Sequence, residues 1–122
     1  MGFQVVGLDH VQLAMPPGEE EEAEHFYAGL LQLRRLSKPE PLAARGGCWF
    51  SNGEVAVHLG TEEGFRPARK AHPALLVRDL SALARDLEVA GVEVRWSDEL
   101  PGVARCYVDD PFGNRIELIE AG

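Results

Sequence analysis

The sequence predicts an α+β fold: paired βαβββ modules form a curved mixed sheet around a cavity, with the helices on its outer face. Two observations predict it. Hydrophobic periodicity alternates between a period of two and a period of 3.6 in the same order twice, giving strand, helix and three short strands in each half. Neither half could cover both faces of its own sheet, so the two must pack together. The first module occupies residues 1–61, a connection runs over 62–71, and the second module occupies 72–122, the whole forming one domain.

In the first module residues 8–14 alternate apolar and polar, as a half-buried strand does, and Pro16-Pro17-Gly18 ends it. Glu19 to Glu22 open a helix, where acidic side chains suit the positive end of the helix dipole. Ala23, Phe26, Tyr27, Leu30 and Leu31 then recur at helical spacing and make one apolar stripe. Strand-like segments follow near 33–37, at Gly47-Cys48-Trp49-Phe50 and over Val55–Leu59. Asn52-Gly53 between the last two predicts a two-residue hairpin turn, since both residues tolerate positive φ.

Residues 60–71 contain Gly and Pro and show no alternation, as expected of a connector. The second module repeats the order. A strand runs from His72 to Val77, and a helix from an Asp79 N-cap to a Gly91 C-cap, with Leu80, Leu83, Ala84, Leu87 and Ala90 on one face. Short strands follow near Val92–Trp96, Val103–Val108 and Arg115–Ile119, the last two joined through the turn Asp110-Pro111-Phe112-Gly113-Asn114.

Composition excludes several classes. With 122 residues, 45% hydrophobic and 26% charged, the chain reads as a globular domain with room for a core. Its net charge of −8 opposes binding to nucleic acid or to anionic membranes, so neither is an expected partner. No apolar run approaches the roughly 20 residues that span a bilayer, and no basic stretch followed by an apolar core opens the chain. A cytoplasmic location is therefore expected. Cys48 and Cys106 fall at matching places in the two modules and read as buried, reduced thiols.

The two modules also repeat side chains that ligate metals. His10 and His72 each open a module, and late in each module His58 and Glu117 occupy matching places. Strand side chains alternate between faces. The purely apolar sets Val11/Leu13, Val57/Leu59 and Ile116/Leu118 should face the helices, which leaves His10, Gln12, His58, His72 and Glu117 on the concave side. The same parity sends Cys106 and Val108 to the helices and leaves Arg105, Tyr107 and, by repetition, Trp49 in the cavity. With Gln12 these are candidate substrate contacts through stacking or charge pairing. Arg66, Arg69 and Lys70 concentrate positive charge just before His72. Arg66 and Arg69 are candidates for a rim that steers an anionic substrate inward.

Three imidazoles and one carboxylate make a donor set suited to Zn, Ni, Fe, Co or Mn as the divalent ion. A substrate with two adjacent oxygens could chelate such an ion. Glu117, or His58 where it does not ligate, is a candidate general base.

Leu8-Asp9-His10-Val11, Phe26-Tyr27 followed by Leu30, Ala71-His72, and Asp110-Pro111-Phe112-Gly113-Asn114-Arg115-Ile116-Glu117-Leu118 together resemble the vicinal oxygen chelate superfamily. That group includes glyoxalase I, extradiol dioxygenases, methylmalonyl-CoA epimerase, and fosfomycin- and bleomycin-resistance proteins. The resemblance covers nearly the whole chain. It implies one metal in the cavity, with three usual ligand positions on His10, His72 and Glu117 and a fourth on His58. It also implies a homodimer, and in some relatives each site takes ligands from both chains. Ala14 stands where glyoxalase I usually carries an arginine, and His58 where several relatives carry Glu or Gln. The expected function is thus a metal-dependent lyase, isomerase or dioxygenase acting on a small oxygenated metabolite. The alternative is a metal-free protein that binds and sequesters an antibiotic, as bleomycin-resistance relatives do.

Overall fold

The computed structural model describes residues 2–122. Two four-stranded mixed sheets share one plan. In the first, β1 (Val11–Met15) runs parallel to β4 (Ala56–Thr61), which pairs antiparallel with β3 (Cys48–Ser51), and β3 with β2 (Arg34–Leu36). In the second, β5 (Ala74–Val77) runs parallel to β8 (Arg115–Glu120), followed outward by β7 (Arg105–Asp109) and β6 (Arg95–Ser97). Helix α1 (Glu20–Glu24) follows β1, and helix α2 (Leu80–Val89) follows β5. Among the described residues no helix is long and apolar enough to cross a membrane.

Strand parity builds the core as the alternation predicts. Met15, Cys48, Phe50, Val57, Leu59, Cys106, Val108, Ile116 and Leu118 are all buried, and they meet Phe26, Tyr27, Leu80 and Leu87 from the helical segments in a single cluster. Both cysteines are free and buried. Full burial of each large apolar side chain is worth roughly 1.5–3 kcal/mol, so this shared cluster joins the two sheets.

A polar knot reinforces that junction. Asp110 is 4% exposed. Its Oδ1 accepts from Phe112 N at 2.9 Å and Asn114 N at 2.8 Å, and its Oδ2 accepts from Tyr27 Oη at 2.7 Å and Asn114 Nδ2 at 2.9 Å. Asn114 Nδ2 also donates to the Ala14 carbonyl at 2.8 Å. The closing turn of the second sheet is thereby stitched to the helix and first strand of the other half.

Four local expectations are corrected. First, His10 and His72 lie just before β1 and β5: residues 2–10 make no ladder within the chain, and β5 starts only at Ala74, beyond Pro73. Phe3, Val5, Val6 and Leu8 in that segment are almost fully exposed. Second, the first helix widens from α to π geometry over His25–Leu30. Third, β3 and β4 join through four residues, Asn52–Val55, and not two: Ser51 pairs with Ala56, Asn52 N bonds to the Val55 carbonyl, and Asn52 Oδ1 caps Glu54 N and Val55 N. Fourth, Ala90 is exposed and caps α2, while Gly91 takes the positive φ of 89° beyond it. Asp79 caps the start, accepting from Ala82 N.

Candidate functional site

The concave faces follow from the strand registers. Across the first sheet Gln12, His58, Trp49 and Leu36 stand in one row. Across the second, Ala74, Glu117, Tyr107 and Arg95 stand in the equivalent row. His58 thus matches Glu117 and Trp49 matches Tyr107, with His10 and His72 immediately before the parallel strands.

The four metal-ligand candidates form two pairs. On the first sheet the His10 and His58 rings stack at 4.0 Å, and Trp49 covers the other side of His58 at 4.4 Å, all nearly parallel. On the second, His72 Nε2 lies 3.0 Å from Glu117 Oε1. Among the described residues, no group of three or more His, Cys, Asp and Glu side chains comes together within the chain to hold a metal ion.

Each leading histidine is oriented through Nδ1. His10 Nδ1 lies 2.8 Å from Asp9 Oδ2, and His72 Nδ1 2.8 Å from the Lys70 carbonyl. A carbonyl only accepts, so Nδ1 of His72 carries hydrogen, and Nε2 faces Glu117 either as the second donor of a charged ring or, in a neutral ring, as a bare lone pair. Two acceptors 3.0 Å apart need a proton or a cation between them. Cis ligands each about 2.1 Å from one ion stand roughly that far apart, so this donor pair fits an edge of a divalent site.

Glu117 is held from its other side. Arg105 Nη1 donates to Glu117 Oε2 at 2.9 Å and to Tyr107 Oη at 2.7 Å. Burial pushes the Glu117 carboxyl up, but hydrogen bonds from Arg105 and His72 outweigh it and hold the group below its ordinary range. Burial, then the charge of His10, pushes the His58 imidazole below its ordinary value, which favours the neutral form that a ligand or base needs.

The remaining candidates fall in different places. Gln12 is exposed beside His58, its amide lying against Gly60. Arg66 and Arg69 are exposed on the connector, which packs Phe65 on Phe112 and Pro67 against Gly113. An open cleft of about 650 Å³ lies between Leu8–Val11, the 52–56 turn and β5; His10 lines it, whereas His58, His72 and Glu117 do not. Sequence parity missed the orienting partners Asp9 and Lys70, which sit in irregular backbone. It also passed over Arg95 and Arg115, although the same alternation places both on the concave face.

The model of the Glyoxalase/Bleomycin resistance protein/Dioxygenase superfamily matches residues 7–118. The chain belongs to this superfamily. Among solved structures, a putative glyoxalase family protein from Bacillus anthracis is 45% identical over 100% of both chains, with a TM-score of 0.94. The fosfomycin resistance protein FosX from Listeria monocytogenes shares the superfamily fold at 13% identity and a TM-score of 0.78, over 98% of this chain and 96% of that one. TnmS3, an antibiotic binding protein from Streptomyces sp. CB03234, shares it at 21% identity and a TM-score of 0.72, over 97% of this chain and 100% of that one. No curated protein matches the chain's sequence. The superfamily thus spans enzymes and binding proteins, and its members bind small molecules.

Proposed function

We propose that the chain acts as a homodimeric, metal-dependent enzyme, a lyase, isomerase or dioxygenase, on a small oxygenated metabolite. His10 and His58 of one copy and His72 and Glu117 of the other would hold one divalent ion, drawn from Zn, Ni, Fe, Co and Mn. The observation that carries this reading is the His72–Glu117 pair, whose Nε2 and Oε1 lie 3.0 Å apart. The equivalent positions of the other sheet hold a second pair of donors, His10 and His58, which the chain does not bring to the first. A second copy supplies what one chain lacks. The apolar segment Phe3–Leu8 and the unpaired edges of β1 and β5 give that copy somewhere to dock.

The bound ion would supply Lewis acidity to a substrate that chelates it through two adjacent oxygens. The chain's own groups do the rest. Arg105 fixes Glu117 through Oε2 and leaves Oε1 free to ligate. Neutral His58 is ready to ligate or to accept a proton. Trp49 and Gln12 line the substrate space, and Arg66 and Arg69 steer an anion toward it from the rim. A second reading, a metal-free antibiotic binder, draws on the flat Trp49–His58–His10 stack and on Arg105 already balancing the Glu117 charge.

Metal analysis of freshly purified protein, beside His10→Ala and Glu117→Ala, separates the two. About one ion per chain, lost in both variants, supports the enzyme. Mixing and re-equilibrating the two variants should restore about a quarter of the sites, because about half of the dimers are then mixed and each mixed dimer keeps one intact site and one site that lacks both side chains. Substoichiometric metal that the variants leave unchanged sinks the proposal and favours the binder.

A further inference from the structure

Arg105 has more donors than Glu117 and Tyr107 use. Its side chain is 9% exposed, and Nη1 alone serves both of those oxygens. On the other edge of the guanidinium, Nε is buried with no hydrogen-bond partner, and Nη2 lies 3.8 Å from Glu99 Oε1, beyond hydrogen-bond length. Nε–H and Nη2–H are the parallel donors of the fork that takes an oxyanion through two oxygens at once. Leaving a buried donor unmet costs stability, so a permanently empty fork is a poor structural device.

The surroundings favour an anion. Arg115 lies across from Asp109 in the β7–β8 register, but Asp109 is committed to Arg95 at 3.0 Å. Among the described residues Arg115 has no carboxylate within 4.0 Å, and its guanidinium carbon lies 5.9 Å from the Tyr107 ring centre, against 5.5 Å for that of Arg105. Two guanidinium groups therefore lie near the Tyr107 ring. Its oxygen accepts from Arg105, which leaves the hydroxyl hydrogen free to donate. Glu99, in the loop after β6 and 80% exposed, faces Nη2 at 3.8 Å and is tethered only by a long hydrogen bond from Ser97 Oγ to the same Oε1, at 3.4 Å.

We propose that the unused donor fork of Arg105, with Tyr107 Oη and Arg115, is an oxyanion subsite that Glu99 covers loosely when no ligand is bound. The ligand is a small organic acid whose carboxylate or phosphonate displaces Glu99 while its other oxygens reach toward His72 and Glu117. The inference rests on the concave face being the substrate site, as proposed above, and it narrows the substrate to an anion.

The test titrates acetate and methylphosphonate separately into protein with and without added Zn²⁺. The signal is the ¹⁵N–¹H resonance of the Arg105 Nε–H group, assigned from its loss in Arg105→Lys. The subsite predicts a saturable shift, roughly tenfold weaker binding in Arg115→Gln and several-fold tighter binding in Glu99→Gln, since the first variant removes a charge that attracts the anion and the second removes a charge that competes with it. The stronger of the two probes identifies the oxyanion. No saturable shift, or one constant shared by wild type and both variants, overturns the proposal. Saturation without bound Zn²⁺ leaves the subsite standing while the metal reading falls. One Zn²⁺ per chain with no response at Arg105 removes the subsite alone.

Discussion

Arg105 Nη1 lies 2.9 Å from Glu117 Oε2, in a pair whose side chains are 9% and 12% exposed. The concave face therefore contains a nearly buried ion pair whose carboxylate keeps its second oxygen for His72. Removing one partner of such a pair strands the other. Glu117→Ala is expected to lower stability by about 3 kcal/mol, as broken buried pairs do, besides losing metal. Glu117→Gln, which still accepts from Arg105, should lose the metal at a much smaller stability loss. Urea unfolding beside metal analysis checks the split; equal destabilisation by both variants would mean that Arg105 needs the Glu117 charge and not only an acceptor.

The docking of a second copy puts Phe3, Val5, Val6 and Leu8 under test. Four apolar side chains exposed at 86–87% in one extended segment are unusual for a surface left in water. Val5→Glu combined with Leu8→Glu should shift the protein to monomer in sedimentation velocity and reduce bound metal with it, since each proposed site draws on both copies. A dimer that persists with its metal would show that the segment is not the interface.

The backbone entering β3 sets where Trp49 stands. Gly47 has φ of 85°, and a Cβ there would lie 2.2 Å from the Leu59 carbonyl oxygen, a backbone atom on the neighbouring strand. Gly47→Ala is expected to destabilise by about 2–4 kcal/mol, because left-handed strain and a backbone clash add. Gly60→Ala is the contrast: its Cβ would meet only the Gln12 amide, at 2.7 Å, and that flexible side chain can move. It should stay within about 1 kcal/mol of wild type. Thermal unfolding that ranked Gly60→Ala as the worse variant would contradict this geometry.

How much of this was legible in the sequence depended on how local the cause was. Period-two alternation placed Val57, Leu59, Ile116 and Leu118 inward and His58 and Glu117 outward, because a single register slip would flip a whole strand. The strand expected over 8–14 began only at Val11, since residues 2–10 have no partner strand in their own chain. The Asn52-Gly53 pair promised a two-residue turn, but the Asn52 carboxamide caps two following amides and lengthens it to four. Asp110 read as a turn residue; only the fold brings Tyr27, 83 positions away, to its second oxygen. The split of the candidate ligands into two pairs was not legible from strand parity, which fixes the face of a sheet and not the position of one sheet relative to another; only the family resemblance left room for a site that draws on two chains.

Tyr27 carries the pH dependence. Burial, then the Asp110 charge, then its hydrogen bond to that carboxylate raise the phenol well above its ordinary value. A group raised in the folded state contributes stability that is complete below its unfolded pKa, about 10, and is lost as pH rises toward the folded value. Wild-type stability should therefore fall at alkaline pH beyond about 10. Tyr27→Phe should lose about 1 kcal/mol at neutral pH, since Asp110 keeps three other donors, and should flatten the alkaline limb. Identical alkaline limbs in the two proteins would remove Tyr27 as the cause.

Trp49 offers an optical reading of the metal proposal. Its ring stacks on His58 at 4.4 Å with 11° between the planes, whereas Trp96, the other tryptophan, is 53% exposed on the β6 edge. Trp96→Phe isolates the Trp49 emission. A paramagnetic ion such as Co²⁺ or Ni²⁺ bound by His58 would lie within a few ångströms of the indole, so titration should quench the emission strongly and saturate at one ion per chain. Zn²⁺ added first should block the quenching. His58→Ala in the same background should abolish it, whereas Arg66→Ala, far along the connector, should leave it intact. Quenching that survives His58→Ala would place the ion elsewhere, and would leave His58 as a stacking residue in an aromatic floor and not a ligand.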